Sequence, residues 1–171
     1  MVVGSSAFQE GEEIPRRYTC AGDDVSPPLH IQDVPDAATS LVVIAEDPDA
    51  PSGIFVHWLL WNVPSRVEMI PEAIPATETV EGLAPAAQGT NDFGKIGYAG
   101  PCPPPGPPHR YLFRVFALDQ TLSLDPGADR DLADDGRRGG DPGVRRDLRG
   151  VAADGSDDSV HYSTSSWCTQ L

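Results

Sequence analysis

Three stretches of the chain are apolar on both sides of a two-residue alternation: SLVVIAE (40–46), IFVHWLLWNV (54–63) and YLFRVFALD (111–119). In the last, Tyr111, Phe113, Val115 and Ala117 share one face, while Leu112, Arg114, Phe116 and Leu118 share the other. A strand that buries one face alternates apolar with polar residues, so runs apolar on both faces belong inside a sheet covered on both sides. The first two runs end at prolines, which cannot donate to a ladder and stop a central strand. With 18 prolines and 17 glycines spread along the chain, long helices have little room. The pattern predicts an all-β fold, a Greek-key β-sandwich with short helical or irregular segments.

Between Ala84 and Pro108 the sequence APAAQGTNDFGKIGYAGPCPPPGPP is interrupted by proline or glycine every few residues. It reads as a long loop, neither helix nor central strand, and its Phe93 and Tyr98 give it something to pack with. From Gly127 the texture changes again: seven glycines, six arginines and nine aspartates in 45 residues, with no aromatic between Phe116 and Tyr162. No period of 2 or 3.6 persists there, which predicts a folded domain at 1–126 and a divergent, poorly ordered tail at 127–171. A shifted reading frame in a GC-rich gene would produce such a tail. The competing expectation is that VHYSTSSW adds one edge strand to the sheet.

Composition narrows the partners. A net charge of −14 repels nucleic acid and anionic membrane surfaces, so any phosphate must meet a local site. No run of 18 apolar residues exists, and the start lacks a basic segment followed by a long apolar one; integral membrane association is not expected, and the location expected is cytoplasmic. Cys20, Cys102 and Cys168 fit neither a disulfide framework nor a zinc motif, so reduced thiols are expected. No heptad run exists, so a homodimer, where one forms, would use a sheet face or edge.

Candidate chemistry gathers at the strand ends. DPDAP, with prolines on both sides of Asp49, is a stiff turn carrying Asp47 and Asp49. His57 lies in the second apolar run and His109 stands at the mouth of the third, so the groups converge where those strand ends share one edge of the sheet. Two imidazoles and two carboxylates offer donors to an anion and acceptors to a cation, with protonated histidine as the anion's donor. No HxH or HxxxH pair, nucleophile elbow or phosphate loop accompanies them, so neither metal nor cofactor nor catalytic residue is expected. Alternatives are an interaction module whose proline loop docks a protein partner, and a hydrolase of a phosphorylated small molecule.

In order along the chain, IPRRYTCAGDDVSPPL, DPDAPSGIFVHWLLWNVP and QGTNDFGKIGYAGPCPPPGPPHRYLFRVFALD resemble the phosphatidylethanolamine-binding protein family, in its bacterial and archaeal Raf-kinase-inhibitor-like branch, over roughly residues 5 to 126. The resemblance implies a β-sandwich with a small anion pocket. In it Asp47 and Asp49 would form the acidic wall, His57 and His109 the ligand-facing imidazoles, and Gly100, Pro101 and Tyr111 the rim. It further implies a small anionic ligand, phosphate or phosphoethanolamine-like, bound without turnover, and a link to inhibition of a kinase or protease. The C-terminus departs from the family, whose members continue with an amphipathic helix and a final short strand.

Overall fold

The computed structural model describes residues 1–129 and the strand backbones at 160–163 and 167–170. Strands β1 (Val2–Gly4), β2 (Leu29–Gln32) and β5 (Met69–Ile70) form a small antiparallel sheet in the order β1-β2-β5. The larger sheet holds β3 (Ser40–Asp47), β4 (Phe55–Pro64), β6 (Ala87–Thr90), β7 (His109–Leu118), β8 (Gly127–Asp129), β9 (Val160–Ser163) and β10 (Trp167–Gln170). Its order is β10-β7-β3-β4-β6-β8, with β9 also paired to β7. Within it β3, β4 and β6 are successive neighbours, and β7 returns to lie against β3. That is the Greek-key return expected from the sequence.

The three apolar runs are β3, β4 and β7, and they are the three long strands at the middle of the sheet. Their alternation resolves into two cores. Leu41, Val43, Ala45, Trp58, Leu60, Tyr111, Phe113 and Val115 pack in a cluster with Leu29, Ile31 and Ile70 of the small sheet. Val42, Ile44, Leu59, Trp61, Phe116 and Leu118 pack on the opposite face, under Leu122 and Ala128. A side chain such as Leu41 or Val43, fully removed from water, stabilises the fold by roughly 1.5–3 kcal/mol, and β3 makes that gain on both faces. The long strands therefore cannot slip register without exposing apolar residues, which fixes where their ends fall.

Two expectations are corrected. The stretch 84–108 contains a strand, β6, which lies between β4 and β8 in the large sheet. Its four residues carry no proline, and Gly89 lets the Ala128 carbonyl and the Trp61 ring approach where a Cβ would collide. Reduced thiols are also corrected, since Cys20 and Cys102 form a disulfide with Cα atoms 5.4 Å apart. The fold brings together two cysteines 82 positions apart in sequence, a proximity that spacing alone does not reveal.

The expected tail lies mostly outside the described residues, as does everything that a shifted frame would alter between 130 and 159. Within the described part, Val160–Ser163 pairs antiparallel with β7, Phe116 opposite Tyr162, and Trp167–Gln170 pairs with the other half of β7, Leu112 opposite Trp167. VHYSTSSW thus contributes a strand at the β7 side of the sheet. No helix among the described residues is long and apolar enough to cross a membrane.

Candidate ligand-binding site

Antiparallel pairing brings the C-terminal end of β3 beside the N-terminal ends of β4 and β7: Asp47 lies opposite Phe55, and Glu46 opposite both Val56 and Leu112. The acidic turn, His57, His109 and Tyr111 therefore meet at one edge. The Asp47 carboxylate is buried and doubly engaged, accepting from His109 Nδ1 at 2.7 Å and from the Asp49 backbone N–H at 2.8 Å. The second contact is an Asx-type turn, in which a side chain substitutes for a backbone acceptor and stiffens the loop.

Asp49, the second residue of the acidic wall that the resemblance implies, is engaged by Arg110. Its carboxylate accepts from the Arg110 backbone N–H at 2.9 Å, from Nε at 2.7 Å and from Nη2 at 2.6 Å. This forked pairing holds the turn to the start of β7. The side-chain bonds from Arg110 are the main cause of an Asp49 pKa lowered to about 2. Asp49 is committed to holding the turn in place.

His57 is buried and its ring is walled by aromatics, with centroids 5.3 Å from Phe55, 5.4 Å from Phe93 and 5.3 Å from Tyr111. Its Nδ1 meets the Ala99 carbonyl oxygen at 2.7 Å. A carbonyl only accepts, so Nδ1 carries the proton and the neutral ring leaves Nε2 as a lone pair. Burial lowers the His57 pKa, against smaller opposing contributions from the Ala99 and Gly100 backbone and the charges of Asp47 and Asp92. Burial thus favours the neutral ring.

Tyr111 completes the cluster. It is buried, and no hydrogen-bond partner reaches its hydroxyl among the described residues. Burial first, and the nearby Asp47 carboxylate second, push its pKa up, so the phenol stays protonated. Asp47 is near enough to exert that effect without closing a well-formed hydrogen bond. A buried hydroxyl left unpaired costs roughly 1–3 kcal/mol, a cost usually found where another group completes the contact.

Gly100 and Pro101 lie in a segment strapped on two sides. The Ala99 N–H donates to the His57 carbonyl at 3.0 Å, the Gly100 N–H to Asp24 Oδ1 at 2.6 Å, and the Cys20 N–H to the Pro101 carbonyl at 3.1 Å. Tyr98 donates its hydroxyl proton to the Tyr18 carbonyl at 2.7 Å, and the Cys20–Cys102 disulfide closes the strap. Asp24, Asp92 and Phe55 were not singled out from sequence, and Phe93 only as an aromatic that gives its loop something to pack with. Asp92 ties its loop to β4, accepting from the Val56 N–H at 2.6 Å while its own N–H donates to the Val56 carbonyl at 2.9 Å. The one available signal was FGKIGYAG, whose glycines mark close backbone approach. Beside the cluster, a groove of about 610 Å³ is lined by Asp49, Pro51, the run from Pro104 to Pro108, His109 and Arg110.

A family model described as phosphatidylethanolamine-binding protein matches residues 4–137. The chain belongs to the phosphatidylethanolamine-binding protein family. A UPF0098 protein of Pyrococcus abyssi is 54% identical over 132 residues, covering 77% of this chain and 74% of that one. The phosphatidylethanolamine-binding protein homolog from Chlamydia trachomatis has a crystal structure that superposes with a TM-score of 0.75 at 33% identity, covering 99% of this chain and 95% of its own. E. coli YbcL, a member of the mammalian PEBP family, gives a TM-score of 0.75 at 25% identity, covering 98% and 96%. Membership places the chain in a family whose fold binds ligands, and the bacterial and archaeal branch accounts for these relatives.

Proposed function

We propose that the protein binds a small phosphoryl-bearing ligand without chemical turnover, at the edge where Asp47, His57, His109, Tyr111 and the Gly100–Pro101 corner meet. The observation that carries the reading is the Tyr111 hydroxyl: buried, held protonated, close to the Asp47 carboxylate, and without a well-formed hydrogen bond among the described residues. A phosphoryl oxygen accepts what that hydroxyl has to give. The family's name adds support, since it names a phosphoryl ester of an amine. No group in the cluster is set as a nucleophile beside a free base, which disfavours the hydrolase alternative. We place the protein in the cytoplasm as part of the same proposal.

Tyr111→Phe tests it. The variant removes an unpaired hydroxyl, so its thermal midpoint is expected to stay level or rise slightly, while phosphate and phosphoethanolamine affinity by titration calorimetry falls about tenfold. Unaltered affinity, or release of inorganic phosphate from phosphoethanolamine by the wild-type protein, overturns the reading. A second function is supported by the groove along Pro104–Pro108, which could seat an extended peptide of a kinase or protease. Inhibition that survives Tyr111→Phe and is lost when Pro104–Pro108 is replaced would separate that role from the pocket.

A further inference from the structure

A second groove opens at the other end of the long strands. Along the β3–β4 ladder Asp47 lies opposite Phe55 and Ser40 opposite Pro64, so the eight-residue length of β3, about 23 Å, separates that end from the phosphoryl edge. Past Pro64 the chain turns through 65–68 into β5, the Val67 N–H donating to the Pro64 carbonyl at 3.0 Å. The Ile31 N–H donates to the Glu68 carbonyl at 2.9 Å and ties this turn to the end of β2, where the chain leaves through Asp33 and Val34. Between the two segments lies a groove of about 450 Å³, within the roughly 300–1,000 Å³ typical of small-molecule sites. Ile31 is buried, Val34 and Val67 are half-buried against the core, and Asp33, Arg66 and Glu68 supply the charge.

Arg66 stands apart from the other described arginines. Arg16 donates to the Ala21 carbonyl, Arg17 pairs with Asp23 and Glu72, Arg110 with Asp49, and Arg114 with Glu46. Among the described residues the Arg66 side chain has neither a hydrogen bond nor an ion pair, and the Asp33 and Glu68 side chains are equally without one. Opposite charges that line one groove without closing on each other leave a gap for a ligand carrying the complementary charges. Two carboxylates and one guanidinium call for two cations and one carboxylate, and Val34 and Val67 add apolar surface for an aliphatic stem. The chain's net charge of −14 attracts a ligand whose own balance is positive. We infer that this groove binds a free basic amino acid of the lysine type, its carboxylate forked onto the Arg66 guanidinium, its two ammonium groups taken by Asp33 and Glu68, and its stem laid on Val34 and Val67. A neutral amino acid leaves one groove carboxylate unmatched, and a diamine leaves Arg66 unmatched. The inference is independent of the phosphoryl-binding reading, because the two sites share no residue.

Titration calorimetry of the full chain at low ionic strength tests it with lysine, norleucine, Nα-acetyl-lysine and cadaverine. Norleucine lacks the terminal ammonium, acetyl-lysine the α-ammonium and cadaverine the carboxylate. Lysine is expected to bind saturably and at least about fivefold tighter than each of the others, the upper range for one exposed ion pair. Arg66→Gln is expected to bring lysine down to the level of cadaverine and to leave cadaverine where it was, and Glu68→Gln to weaken lysine about fivefold. These side chains are exposed, so both variants are expected to keep the wild-type urea midpoint. Absence of saturable lysine binding, or any one of the three probes matching lysine, overturns the inference. Lysine binding untouched by Arg66→Gln overturns it as well, by placing the ligand elsewhere. Saturating phosphate at constant ionic strength should leave lysine affinity unchanged; competition between the two would move lysine to the phosphoryl edge and sink the second site.

Discussion

Arg110 grips Asp49 through three hydrogen bonds at the pocket's outer edge, and that grip has a pH signature. The folded-state pKa of Asp49 lies at about 2, below its ordinary 3.8, chiefly because of the bonds from the Arg110 side chain. A depressed carboxylate pKa favours the fold above the unfolded value and loses that contribution as pH falls through the folded one. The pair is partly exposed, so its contribution is small and screened by salt. Asp49→Asn is expected to have a lower urea midpoint than wild type at pH 7, with the gap shrinking from about pH 4 toward about pH 2. A gap that persists unchanged at pH 2 would mean the substitution acts on turn geometry and not on charge. The same pair shows what the sequence left out about a residue it found. DPDAP marks Asp49 as fixed in a stiff turn, but its carboxylate is claimed by Arg110, the neighbour of the predicted ligand residue His109.

At the scale of elements, the strands were legible where many residues voted. β3, β4 and β7 have eight to ten residues each, and alternation over that length reports both faces. The small sheet was not found, because strands of two to four residues carry too few alternations to distinguish from a loop. The same brevity hid β6. The site was legible in so far as it sits on ends of long strands, and illegible where it depends on the strap from Tyr98 to Cys102, whose partners lie near Tyr18 and Asp24. Gly100 tests that strap. A Cβ there would meet the Tyr18 carbonyl, with Asp24 Oδ1 and Thr19 Cα each at 2.8 Å, and two of those three contacts are backbone. Gly100→Ala is expected to cost roughly 1–3 kcal/mol and to weaken phosphate binding together with it, as the strap moves away from His57. Denaturant midpoints and calorimetry measure the two effects. Full stability with full affinity would show that the strap yields without reaching the ring.

Across the whole molecule, the pocket is held between the large sheet and the segment around Arg16–Asp24, and the Cys20–Cys102 bond is the covalent link between them. Charge does not help to hold them: the chain carries −14, and the exposed Arg17–Asp23 and Arg17–Glu72 pairs contribute little. Cross-linking residues 82 apart in sequence removes much of the unfolded chain's freedom, worth roughly 4 kcal/mol by chain entropy and typically 2–4 kcal/mol in practice. That is a large share of the 5–15 kcal/mol by which a domain is ordinarily stable. The bond also bears on where the protein works, since a reducing cytoplasm opens most disulfides while thermophilic cells keep many closed. Cys102→Ser is expected to lower unfolding free energy by about 2–4 kcal/mol in urea titrations, and a thiol reductant should bring wild type down to the variant without moving the variant itself. Phosphate affinity should drop in step, because the freed strap carries Ala99, the acceptor that fixes the His57 tautomer. A wild-type midpoint indifferent to reductant would show that the bond does not form in solution, and the strap would then rest on hydrogen bonds such as those of the Tyr98 hydroxyl, the Gly100 N–H and the Pro101 carbonyl.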